Sequence, residues 1–404
     1  MRTRFTAFLI LLASSAALSV CAAEAPSVAD AFTQGKLSLN ARLRYEGVQQ
    51  SALRDAEALT LRTRLGFATA RWHGLKALVE AEHIVAAEGD GYSQAGLNPA
   101  AADRAVVADP ETNEINQIFL AYTAQKTTVT LGRQRLVLDS ARFIGDVGWR
   151  QNQQTFDALV IQSAVVPAIT FTYAYLDQIN RVFGPRHPQG KGQSDSHVIN
   201  TSYTGCTAGT LTGYAYLLDF AAPAAANSCA TYGASFAGTR PLSPDMKLAY
   251  RAEFATQADT GTSPLRYSAR YSALSAGLTA KPGSLTLGYE QLGSDHNIGF
   301  KTPLATLHAF NGWADLFLST PAAGLRETYL RATADLPEKI ALTASYSRFA
   351  SDIGGSRLGN EFDAQVFRKF GRSVSALLKF AHFRRDSLSV PNVQKIWAQL
   401  EFVY

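Results

Sequence analysis

From residue 36 to the carboxy-terminus the chain is built of segments in which apolar and polar side chains alternate. The last of them, Val393 to Tyr404, sets Ile396, Ala398, Leu400, Phe402 and Tyr404 on one face and Lys395, Gln399 and Glu401 on the other. Side chains of a strand have period two, and a membrane barrel separates two solvents, so lipid-facing apolar residues alternate with lumen-facing polar ones. The same reading predicts strands near 36–50, 58–72, 74–86, 113–124, 127–138, 152–165, 168–182, 196–206, 209–219, 230–239, 246–257, 264–279, 284–293, 324–336, 339–350, 357–369, 373–384 and 391–404. The expected fold is therefore all-β, an antiparallel transmembrane barrel of about eighteen strands occupying 36–404. Connections support it independently. Every second one is tight, as at His73-Gly74, Gln125-Lys126, Thr207-Ala208 and Gly371-Arg372, whereas 87–112, 139–151, 183–195, 220–229 and 294–323 are longer. Short periplasmic turns alternating with long external loops place both termini in the periplasm.

The amino-terminus carries Arg2 and Arg4, then the apolar run AFLILLASSAALSV, then Cys21-Ala22-Ala23, which together read as a secretory signal over 1–23 with cleavage after Ala23. A lipoprotein signal at Cys21 is disfavoured by Val20, where a small residue belongs. Residues 24–35 form a short periplasmic leader, too short for a plug domain. A mean hydropathy of -0.05 cannot separate a barrel from a soluble protein, because half of every strand faces water. The formal net charge is +5, and Arg2 and Arg4 contribute two of those charges, so no nucleic-acid partner is expected. Cys206 and Cys229, assigned to opposite ends of the barrel wall, are expected as separate thiols.

Strand parity also orients the charges. In LSLNARLRYE, Leu37, Leu39, Leu43 and Tyr45 face lipid and send Arg42 and Arg44 inward; in LTLRTRLGF, Leu59, Leu61, Leu65 and Phe67 do the same for Arg62 and Arg64. In LRYSARYSAL, assigning Leu265, Tyr267 and Tyr271 to lipid directs Arg266 and Arg270 to the lumen. An arginine facing lipid at the midplane would cost about 2–4 kcal/mol, and guanidiniums gathered in a pore raise local anion concentration. The same parity sends Glu46, Glu80, Glu82, Glu253, Glu290, Glu327, Glu361 and Asp363 inward. Those carboxylates could neutralise the arginines in wall-spanning ladders.

Two segments, Gly132 to Leu159 (GRQRLVLDSARFIGDVGWRQNQQTFDAL) and Thr302 to Ala332 (TPLATLHAFNGWADLFLSTPAAGLRETYLRA), resemble signatures of the alginate-export family of outer-membrane porins. That resemblance implies an eighteen-stranded barrel whose pore is narrowed by an inward loop and lined by arginines that conduct a polyuronate. Residues 139–151 occupy the position of such a loop, with Arg142 and Arg150 as its cations and Phe143 and Trp149 as its aromatics; a solvated external loop is the plainer alternative. Arg133, in the same segment, completes the candidate pore lining. The second segment, with Leu307, His308, Phe310 and Trp313, is too apolar for a solvated tip and is expected to fold into the barrel mouth.

Enzyme chemistry is not expected. There is no Gly-x-Ser-x-Gly, Gly184 to Lys191 lacks phosphate-loop spacing, and the histidines are scattered without a close metal-binding pair. Asp109, Glu111 and Asn113 alternate as calcium ligands might, but Glu114 replaces the glycine an EF-hand requires, leaving only a weaker loop site open. No cofactor is called for. The chain reads as a Gram-negative outer-membrane channel for an anionic saccharide such as alginate or related uronates, with a general or small-anion porin as the alternative. Its expected partners are outer-membrane lipid, the barrel-assembly machinery that recognises a terminal aromatic, the saccharide itself and, for an exporter, periplasmic secretion components.

Overall fold

The computed structural model describes residues 24–404. The expected signal over 1–23 lies outside them. The barrel strands are β1 (Lys36–Gln50), β2 (Ala56–Ala68), β3 (Leu75–Ala86), β4 (Thr112–Ala124), β5 (Thr127–Gln134), β6 (Thr155–Ser163), β7 (Ile169–Asn180), β8 (Lys191–Cys206) and β9 (Gly209–Leu218). They continue as β10 (Cys229–Ser243), β11 (Met246–Asp259), β12 (Ser268–Ala280), β13 (Gly283–Leu292), β14 (Leu325–Leu336), β15 (Ile340–Ala350), β16 (Arg357–Phe370), β17 (Val374–Arg385) and β18 (Val393–Val403).

All 18 form one antiparallel sheet. It closes because β1 pairs on one side with β2, Leu43 opposite Leu61, and on the other with β18, Leu43 opposite Leu400. Closure leaves no unpaired edge in lipid, where each unsatisfied peptide group would cost several kcal/mol. The tight turns fall where expected. At two of them Gly74 (φ 82°) and Gly371 (φ 62°) occupy the left-handed region that a side chain disfavours.

The burial pattern is that of a barrel in lipid. Leu37, Leu61, Leu65, Leu131, Leu274, Leu287, Leu378 and Leu400 lie exposed on the outer face, while the interior is occupied by polar side chains and two inward loops. One loop, 135–154, joins β5 to β6; the other, 293–324, joins β13 to β14. They meet inside the barrel through a parallel bridge between Ile144 and Leu304, with the Gly145 N–H donating to the Leu304 carbonyl at 2.8 Å and the Thr306 N–H to the Ala141 carbonyl at 3.0 Å. Phe143, Ile144, Phe300, Leu304, Trp313 and Phe317 give the junction an apolar centre. The leader contains a short helix, α1 (Val28–Thr33), capped by the Ser27 hydroxyl on the Asp30 N–H. It docks beside the β2–β3 turn, where the Ala70 N–H donates to the Ala31 carbonyl at 2.8 Å and Phe32 stacks on Phe67.

Candidate functional site: an arginine wall, an acidic wall and two inward loops

Alternation along β1 and β2 places Arg42, Arg44, Arg62 and Arg64 on the lumen side, as parity requires. Arg42 stands directly opposite Arg62 across the strand pair. Both donate to one carboxylate oxygen of Glu401 on β18, at 3.1 Å each. Arg64 pairs with Glu82 on β3, and Arg44 donates to the Gln399 side-chain carbonyl at 2.6 Å and lies 3.6 Å from Asp109.

The guanidiniums also grip the first loop by its backbone. Arg42 donates to the Gly148 and Trp149 carbonyls at 3.2 and 3.3 Å, and Arg64 and Arg62 reach the Gln151 carbonyl at 3.2 and 3.4 Å. From the loop itself, Arg150 donates to Glu46 at 2.9 Å and to Asp315 of the second loop at 2.8 Å, while Arg142 crosses to Glu290 on β13 at 2.8 Å. The inward position of 139–151 rules out the solvated-loop alternative: Arg142, Phe143 and Arg150 are buried.

The facing wall is acidic. Glu290 on β13, Glu327 on β14, and Glu361 and Asp363 on β16 point inward and hold the second loop by its donors. The Asn311 amide donates to Glu290 at 2.6 Å and to Glu327 at 3.0 Å, and the Ala314 N–H donates to Glu361 at 2.7 Å. Gly312 permits that approach, with φ at 87°; a Cβ there would meet the Glu361 carboxylate. Between this wall and the loops lies a cavity of 210 Å³, lined by Ser140, Arg251, Tyr271, Asn311, Trp313 and Arg331 among others.

Where the two loops and the wall strands β17 and β18 meet, His308 stacks on Trp149 with ring centroids 4.4 Å apart. Its Nδ1 lies 2.7 Å from Asp315 Oδ1 and its Nε2 2.7 Å from the Lys379 ammonium. Lys379 in turn sits 3.6 Å from the Trp313 ring centroid and 4.3 Å from that of Trp149, a cation–π arrangement. Burial holds His308 well below the usual histidine range against the opposing pull of Asp315. Burial alone would raise the Asp315 carboxyl, but His308, Lys395 and Arg150 outweigh it and hold it well below the usual carboxylate range.

Three expected pore residues lie elsewhere. Arg133 shares its side of β5 with the exposed Leu131, stands opposite the exposed Ile118 on β4, and pairs with Asp157 at 2.7 and 2.9 Å on the outer face. Arg266 precedes β12, is exposed, and pairs with Asp259 at 2.6 Å. Arg270 points outward. Leu274 and Leu278 are exposed on the same face of β12 as Arg270, so the lumen side carries Tyr271, whose hydroxyl donates to Glu290 at 2.8 Å. Tyr267 likewise turns in, donating to Gln257 at 2.9 Å. Reading these tyrosines as lipid-facing inverts the parity of the strand.

Gln151, Asp315 and Lys379 were not singled out by sequence reasoning, Asp109 was considered only as a loop calcium ligand, and Lys395 was placed only on the water-facing side of its strand; Lys379 and Lys395 sit on the lumen parity of adjacent strands. Asp109 accepts the Gln151 N–H at 2.7 Å and faces Arg44 and Arg150, so the suggested calcium ligand is an anchor for cations of the protein. Among the described residues there is no group of histidine, cysteine, aspartate and glutamate able to hold a metal ion.

Residues 34–174 match the family model described as Alginate export. No curated protein matches the sequence. Among solved structures, the chain is similar to Acinetobacter baumannii OccAB4 (TM-score 0.73, 11% identity, covering 92% of this chain and 98% of that one) and OccAB3 (TM-score 0.73, 16% identity, 92% and 100%). Pseudomonas aeruginosa OccK11 (OpdR) is similar too, with TM-score 0.70, 15% identity and coverage of 92% and 96%. The chain is a closed 18-stranded antiparallel β-barrel of the fold these solved structures share, and its amino-terminal strands, within residues 34–174, carry the match to the Alginate export family model.

Proposed function

We propose that the channel passes small anionic saccharides of the uronate class through a constriction formed by the two inward loops. The observation that carries this reading is the sharing of one carboxylate, Glu401, by two guanidiniums, Arg42 and Arg62. One positive charge is left over on the lumen wall where it holds the first loop. Both guanidiniums already donate to Glu401 and to carbonyls of the first loop, so the surplus charge acts on a passing carboxylate through its field, raising the local anion concentration. Conduction of a polymer such as alginate would require the loops, which meet across the lumen, to withdraw.

A general small-anion or nutrient porin is the second reading. It is favoured by the pairing of Arg64 with Glu82 and of Arg150 with Glu46 and Asp315, which weakens the net field those arginines exert. Planar-bilayer recordings separate the two. The uronate reading expects anion preference in a salt gradient and block by galacturonate or mannuronate, both lost in an Arg42→Ser/Arg62→Ser variant. Unaltered reversal potential and unaltered block in that variant would leave the general porin.

A further inference from the structure

The corrected parity of β12 leaves an arginine, Arg270, on the outer surface near the external end of the barrel, and it is not alone. Arg348 on β15 and Arg384 on β17 also point outward and are exposed. They stand in one pairing row, Arg348 opposite Asn360 on β16 and Asn360 opposite Arg384. Neighbouring strands lie about 4.8 Å apart, so the two arginine Cα atoms are separated by about 10 Å. The row of residues below is Tyr346, Phe362 and His382, an aromatic band of the kind that marks the boundary between hydrocarbon and headgroups.

Strand tilt brings Arg270 to the same level. The pairing row that contains Leu274 runs through Tyr289 and Thr328 to Arg348. With strands inclined by about 40°, each step along such a row climbs about 3 Å. Three steps therefore raise Arg348 to the height that Arg270 reaches four residues beyond Leu274 on its own strand.

The side chains of Arg270 and Arg384 have no hydrogen-bond or ion-pair partner among the described residues, and Arg348 has only the Tyr346 ring, 5.8 Å away. Three other cations near this rim are compensated: Arg326 by Asp352, Arg266 by Asp259 and Arg133 by Asp157. Asp386 accepts from Asn360, between the two arginines, at 3.2 Å. The far side of the rim, at β7 and β8, instead presents Asp177 and Asp195. One arc of the outer surface thus carries uncompensated guanidiniums at headgroup height and the opposite arc carries carboxylates.

We infer that the arc from β12 to β17 is a docking surface for the phosphorylated glycolipid of the outer leaflet, lipopolysaccharide, with Arg270, Arg348 and Arg384 binding its lipid A phosphates. Acyl chains then lie on the apolar wall below, over Leu330, Tyr346 and Phe362. Guanidinium–phosphate pairs are charge-assisted and bidentate, and two arginines about 10 Å apart can each take one phosphate of a bisphosphorylated disaccharide.

The test uses the full-length folded barrel in detergent, stripped of lipid, titrated with bisphosphorylated lipid A and followed by native mass spectrometry. Wild type is expected to retain one or more lipid A molecules, and Arg270→Ser/Arg348→Ser/Arg384→Ser to bind at least about tenfold more weakly while keeping the heat-modifiable band of a folded barrel. If the triple variant fails to fold, Arg348→Ser and Arg384→Ser are read singly, each with a smaller loss. Dephosphorylated lipid A should bind wild type as weakly as the triple variant binds the intact lipid, and inorganic phosphate at equal concentration should not compete. Equal affinity of wild type and variants for lipid A, equal binding of the dephosphorylated lipid, or displacement by inorganic phosphate would each overturn the assignment.

Discussion

The wall formed by β18, β1 and β2 and the wall formed by β13, β14 and β16 do the same structural work with opposite charge. On the first, Arg42, Arg62 and Arg64 donate to carbonyl oxygens of residues 148–151. On the second, Glu290, Glu327 and Glu361 accept from the donors of Asn311 and Ala314. A loop that folds into a barrel cannot form a sheet ladder there, yet its peptide groups must still be paired. The basic wall satisfies carbonyls of residues 148–151, and the acidic wall satisfies the Asn311 side-chain amide and the Ala314 peptide N–H. The lumen charges that polarise the pore are therefore also the anchors of the elements that narrow it.

The largest effect that would sharpen this contrast is expected at the buried pairs of the basic wall. Arg64→Ser leaves Glu82, whose side chain is 0% exposed, without its counter-charge, a change that typically costs about 3–5 kcal/mol. The midpoint of heat modification should fall clearly, and Glu82→Gln in the same background should restore part of it. Glu401→Lys belongs to the same class, since it sets a third cation beside Arg42 and Arg62. Its folded yield in outer-membrane fractions should drop at least as far as that of Tyr404→Lys. Parity alone marks Glu401 only as water-facing and predicts the reverse order.

That reversal shows how far the sequence could be read. Strand number, closure and the lumen side of β1 and β2 were legible because leucines mark the lipid face of those strands without ambiguity. The parity of β12 was not, because Tyr267 and Tyr271 lie near the rim, where an aromatic with a polar tip suits either face. The anchoring partners were out of reach for a different reason: Arg42 and Glu401 are 359 residues apart, and only closure brings them together. The first loop's inward fold was implied by the family resemblance, but its grip by backbone carbonyls leaves no trace in side-chain identity.

A smaller change is expected on the acidic wall. Glu361→Ala removes the acceptor of the Ala314 N–H, a charge-assisted bond worth about 1.5–3 kcal/mol, and should loosen the second loop without lowering barrel yield. Larger conductance fluctuations with unchanged heat modifiability would agree with this; unchanged noise would not.

Acidification should act more gently, through the junction of the loops. His308 has a folded pKa held below its unfolded value by burial, so it binds fewer protons folded than unfolded between those two values. The stability it contributes is present above the unfolded value, near 6.5, and is lost as pH falls below it. Conductance through wild type should therefore rise as pH is lowered from about 7.5 to 5.5, and His308→Gln should flatten the response.

The claim that two oppositely charged walls hold the two loops is tested most directly by hydrogen–deuterium exchange of peptides from 139–154 and 302–324 in the folded barrel. Arg42→Ser/Arg64→Ser should speed exchange chiefly in the first loop, and Glu327→Ala/Glu361→Ala chiefly in the second, with strand peptides protected in both. Exchange in both loops that matches wild type in either variant would contradict the account.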